Sequence, residues 1–174
     1  VSPMPRKTLP RLLRFLVLFC LGPGLSRAAE FDQRMANFST RAQAGAGAEA
    51  AFVGFAIGPG APKTVLIRAV GPALTGFGVS GALADPFIAV IESDTARQIG
   101  SNDNWSSTDG PALSSAFAQA GAFAFPAGSR DSALLIDLPP GKGYSVQVSG
   151  AGGSSGIALV EVYDLTPDPL ATVS

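Results

Sequence analysis

The feature that most restricts this chain is how its apolar residues are cut up. From position 34 onward, short runs rich in Val, Ile, Phe and Ala alternate with clusters of Gly, Pro, Asn, Asp and Ser. Branched and aromatic side chains suit a pleated, half-buried surface, and the separating residues are those that turn a backbone. The pattern predicts strands at Arg34–Thr40, Ala50–Ile57, Thr64–Val70, Phe87–Glu92, Arg97–Ser101, Ser132–Leu138, Tyr144–Ser149 and Ile157–Leu165. The fold class that follows is all-β, an antiparallel β-sandwich of jelly-roll or Ig-like form with about eight strands and one short helix.

Side-chain alternation supports this. Tyr144, Val146 and Val148 fall on one face of their run and Ser145, Gln147 and Ser149 on the other, the period of two that marks a half-buried strand. Thr64–Val70 is apolar nearly throughout, as a strand covered on both faces would be. In Ile157–Leu165 the lone early charge is Glu161, and burial there would raise its pKa unless a cation such as Arg68 on another central strand answers it. The exception to strand patterning is Pro111–Ala120. Asp109 can cap it, Pro111 suits a first helical turn, Gly121 suits its end, and Leu113, Phe117 and Ala120 share a face.

Residues 1–28 have the make-up of a cleavable signal peptide. Five basic residues (Arg6, Lys7, Arg11, Arg14, Arg27) accompany an apolar run from Phe15 to Leu21, a Gly22-Pro23-Gly24 turn, and small residues at Ser26 and Ala28 that suit cleavage after Ala28. Val1 ahead of Met4 reads as a bacterial alternative start, which makes the expected destination extracellular or the cell surface. Beyond the leader we divide the chain into an N-terminal segment, 29–47, able to act as an exchanged strand, a sandwich domain, 48–165, and a tail, 166–174. The remainder after residue 28 holds seven basic and 13 acidic residues, net −6. Nucleic-acid binders need a clustered basic face, so nucleic acid is not an expected partner, and neither is an anionic membrane.

Residue types exclude much chemistry. The chain contains no histidine, and Cys20 lies within the leader. Beyond the leader there is therefore no thiol nucleophile, Ser-His-Asp triad or zinc site of the usual ligands. Gly58-Pro-Gly-Ala-Pro-Lys-Thr is not a phosphate loop, because Pro59 and Pro62 lack the N–H groups that would cradle an anion.

The most polar stretch, Ser101–Gly110, is the candidate site. Asn102, Asp103, Asn104 and Asp109 offer the oxygen ligands that calcium prefers, with Asp85, Asp94 or Asp131 placed to complete a shell from other loops. The spacing is not that of an EF-hand, and the competing reading is a loop whose side chains bond their own backbone. Trp105, the sole tryptophan, is the candidate ligand residue for a sugar face, or else an anchor of its loop into the core. Paired carboxylates for acid–base work would have to come from Asp85, Glu92, Asp131 and Glu161.

Five stretches carry a resemblance: Arg34–Arg41 (RMANFSTR), Pro62–Pro72 (PKTVLIRAVGP), Gly78–Pro86 (GVSGALADP), Ser101–Trp105 (SNDNW) and Gly156–Asp164 (GIALVEVYD). They resemble a β-sandwich module found in tandem in large surface proteins of Verrucomicrobia and related bacteria. The second half also resembles the C-terminal β-sandwich of secreted bacterial peptidases, in its Asp-Pro strand, Asn-Asp loop and Pro-Gly-Lys-Gly-Tyr hairpin. Neither resemblance implies catalytic residues. The expectation is a non-enzymatic, secreted or cell-surface structural module in assembly or adhesion, a self-assembling filament subunit whose partners are itself or other surface components, with no cofactor. The alternative is a calcium- or carbohydrate-binding accessory module.

Overall fold

The structure, a computed structural model, describes residues 36–167. The expected leader, and with it Cys20, lies outside the described residues, as does the tail from residue 168. The strands are β1 (Asn37–Ala44), β2 (Ala51–Ile57), β3 (Lys63–Val70), β4 (Pro86–Glu92), β5 (Arg97–Asn102), β6 (Ser132–Leu138), β7 (Lys142–Gly150) and β8 (Gly156–Asp164). They form two antiparallel sheets, ordered β1-β8-β3-β6 and β2-β7-β4-β5. The pairs β1·β8, β2·β7, β3·β6 and β4·β5 are the rungs of one long antiparallel ribbon, and β3·β8 and β4·β7 close it on itself. Of the two sandwich forms expected, this strand order is that of the jelly roll.

The alternation reads out directly in the core. Tyr144, Val146 and Val148 meet Val65, Ile67, Ala69, Val90, Ala158 and Val160 between the sheets. Tyr144 points its hydroxyl out of this apolar layer to the Pro139 carbonyl, 2.9 Å away.

The helix α1 (Ser106–Ala120) explains why β3 is apolar on both faces. Leu113, Ala116 and Phe117 of α1 join Leu66 and Val70 of β3 and Ala133 of β6 in a second buried cluster outside the first sheet. Helix geometry breaks at Asp109, with φ −153° and ψ 60°. An opening turn from Ser106 therefore precedes the helix expected from Pro111. The Asp109 side chain accepts from the Ala112 N–H at 3.4 Å, and Gly121 closes the helix at φ 66°.

The N-terminal boundary differs from expectation. The strand expected at Arg34–Thr40 runs instead to Ala44, and it pairs with β8 of the same chain from Asn37 opposite Tyr163 to Ala44 opposite Gly156. Ala44 is fully buried, so the apolar end of the segment belongs to this core. The sandwich thus takes in Asn37–Ala44, ahead of the expected limit at residue 48, while Arg34 and Met35 of the expected strand lie outside the described residues. Among the described residues no helix is long and apolar enough to cross a membrane.

Candidate functional site

The candidate loop divides instead of converging. Asn102, at the end of β5, turns inward, and its Oδ1 accepts from the Ser132 hydroxyl (3.0 Å) and the Ala133 N–H (3.2 Å). These bonds tie the edge of one sheet to the edge of the other. Asn104 contributes its carbonyl to Ser107, Asp109 caps the helix, and Asp103 is exposed. Among the described residues no group of three or more His, Cys, Asp or Glu side chains stands close enough to hold a metal. Of the calcium ligands expected at Asn102, Asp103, Asn104 and Asp109, two have a side-chain oxygen engaged in fastening the loop and the helix start, Asn102 to Ser132 and Ala133 and Asp109 to the Ala112 N–H.

Trp105 likewise points inward. It is 8% exposed and packs against Phe117 and Phe125, with centroids 5.7 and 6.0 Å away. Its backbone N–H donates to the Asp131 carbonyl at 2.9 Å. A ring so placed offers no flat face to a sugar. The anchor reading of Trp105 is the one the geometry supports.

The four candidate carboxylates each meet another kind of group. Asp85 pairs with Arg130 at 2.7 Å. Glu92 accepts from Lys142 and Thr95, and these bonds hold its carboxyl below the usual range. Asp131, fully buried, accepts from the Gly71 N–H (2.7 Å) and the Ala73 N–H (3.2 Å), capping the 3₁₀ turn that follows β3. Gly71 must be glycine, because a Cβ there would lie 2.2 Å from the Leu83 carbonyl oxygen.

The fourth carboxylate leads to the molecule's main buried polar constellation. Glu161 on β8 and Arg68 on β3 are directly opposite in register, and their charged atoms approach to 3.4 Å. Sequence had named this pair. It had not named what surrounds it. The Arg68 guanidinium is fully buried, with ring centroids of Phe117, Phe123 and Phe125 at 4.5, 4.6 and 4.2 Å. Its Nη2 donates to the Phe123 carbonyl at 2.9 Å. Guanidinium is weakly hydrated and attracted to π faces, so a three-walled aromatic cage is a setting in which it can stay charged while dry.

Burial pulls the Arg68 pKa below its ordinary value, while Glu161, Tyr163 and Asp131 pull it back up. The Tyr163 hydroxyl donates to Glu161 Oε1 at 2.9 Å. Desolvation first, and that bond and the Glu161 charge next, push the Tyr163 pKa up to about 12. The signals that could have revealed the cage are an arginine inside the most apolar strand and the Phe123-Ala-Phe125 alternation just after the helix.

Enclosure determines what this constellation can do. A cation with no exposed surface does not greet a soluble anion; it fastens the 117–125 segment to the sheet. A cleft of about 200 Å³ opens nearby, walled by Ala36, Asn37, Gln119, Tyr163 and Leu165; the hydroxyl of Tyr163 donates to Glu161. Compared with known proteins, the chain matches no family model and no curated protein.

Proposed function

We propose that this chain is a non-enzymatic structural module, exported to the cell surface or beyond, that works by assembling with copies of itself. The observation that carries this reading is how the polar interior is used. Arg68 and Glu161 join β3 to β8 and to the helix side, Asp131 holds the turn after β3, and Asn102 joins the two sheets. Each group stiffens a joint between elements, which is what a load-carrying subunit needs. The leader-like residues 1–28 support export, and the likeness to tandem surface modules supports a role outside the cell.

Sizing chromatography with light scattering, together with negative-stain microscopy, tests the proposal. Defined oligomers or fibres are the expected result. A strict monomer across the accessible concentration range, without fibres, would refute it.

A further inference from the structure

The four sheet edges are not treated alike. β1 carries Arg41, β5 carries Arg97 and is bulged against β4, and β6 carries Asp137 and sits beside β5 through the Asn102 bonds. Charges and bulges are what keep an edge from recruiting a foreign strand. β2 has neither. Its seven residues, Ala-Phe-Val-Gly-Phe-Ala-Ile, include no charge and no proline, and its register with β7 is unbroken. Among the described residues β2 is paired with β7 alone, which leaves its other edge unpaired.

The face beside this edge has the same character. α1 covers the other sheet, so the outer side of β2 is open, and Phe52 is 61% exposed with Gly54 and Ala56 beyond it. Next come Ser145, Gln147 and Ser149 of β7, which the register places beside Gly54, Phe52 and Phe87. None of these side chains is charged.

We infer that β2 is the self-association edge: two copies pair β2 with β2, antiparallel about a two-fold axis, joining two four-stranded sheets into one. The inference rests on the assembly reading above and names its surface. A second copy is the occupant the chemistry favours, because the edge offers backbone donors and acceptors with no charge on β2 itself, and the one charged neighbour in its register, Lys142 opposite Ile57, is already paired with Glu92. A charged peptide would lose hydration there without gaining a counter-ion. The sequence is also self-complementary. An antiparallel register centred on Gly54 sets Phe52 opposite Ala56 of the second copy on the outer face and Val53 opposite Phe55 on the inner one. Each Phe52 ring then lies diagonal to the other copy's Gly54, where no side chain resists it, an arrangement that covers an edge glycine with an aromatic.

Gly54 supplies the test. A Cβ there would meet nothing closer than the Tyr144 carbonyl oxygen at 3.9 Å, so the fold accepts a side chain. Gly54→Lys and Gly54→Glu each set like charges face to face at the axis. With the full chain, light scattering across a dilution series should show each variant associating roughly tenfold or more weakly than wild type, and an equimolar mixture of the two regaining association. Trp105 emission and the melting temperature report that each variant is folded. If wild type associates and both variants associate equally well, or if the mixture of folded variants regains nothing, the β2 edge is refuted while assembly stands. If wild type itself never associates, the assembly reading falls with it.

Discussion

Replacing Arg68 by Met separates the two accounts of its cage, as stabilising joint or as tolerated burden. Met fills a similar volume and keeps contact with the three rings, so the loss is chiefly of charge and of the bond to the Phe123 carbonyl. Glu161, 7% exposed, would be left opposite a neutral side chain. Removing one partner of a buried pair costs about 3–5 kcal/mol, and the lost cation–π attraction adds about 1 kcal/mol or more. Part of this is recovered because Tyr163 still donates to Glu161 Oε1. A net loss of about 4 kcal/mol is expected, a large share of the 5–15 kcal/mol typical of folded domains.

Urea unfolding followed by Trp105 emission is the natural assay, since the sole tryptophan packs on Phe117 and Phe125, two of the cage walls. The double variant Arg68→Met, Glu161→Gln removes both charges and keeps an acceptor for Tyr163, and it should recover to within about 1–2 kcal/mol of wild type. A single-variant loss below about 1 kcal/mol, or a double variant as unstable as the summed singles, would refute the argument that the pair and cage act together.

Alkaline unfolding is expected to be steep. Tyr163 ionises at about 12 in the folded chain against an ordinary 10, so its contribution is fully present below pH 10 and is lost as pH rises from 10 to 12. Two pKa units correspond to about 2.7 kcal/mol, and discounting for partial solvent access leaves roughly 1 kcal/mol, which Tyr163→Phe should remove from the pH dependence of the urea midpoint. Asp131→Ala strips two buried N–H groups of their acceptor and should cost about 2–3 kcal/mol by thermal melting. Gly71→Ala drives a methyl into the Leu83 carbonyl and should cost about 3 kcal/mol or prevent folding, whereas Gly54→Ala should melt within about 1 kcal/mol of wild type. Trp105 emission should be unmoved by millimolar calcium; a saturable change would restore the Ser101–Gly110 loop as a cation site.

Most strands were legible because each had a complete local signature. β2, β3, β4 and β6 fall within a residue of their expected limits, since branched residues with flanking Gly or Pro leave little freedom in where a strand stops. β1 was expected to stop at Thr40 because nothing local marks Arg41–Ala44 as strand; pairing with β8 and burial of Ala44 carry it four residues further. The helix was legible from Asp109, Pro111 and Gly121, but its opening turn was not, having no apolar period of its own.

By itself, the sequence determined the all-β class, the positions of most strands, the absence of histidine, thiol and triad chemistry beyond residue 28, and the need for a cation opposite Glu161. Those depend on residue type, local period and the high cost of a lone buried charge. Tertiary structure decided which oxygens converge: Asn102, Asp103, Asn104 and Asp109 are neighbours along the chain, yet backbone direction sends Asn102 inward and Asp109 to a helix cap. It also decided that residues far apart in sequence, Arg68 with Phe117, Phe123 and Phe125, form one cage, and that β2 is an edge. Proximity in a sandwich is set by strand order, and no local pattern encodes strand order.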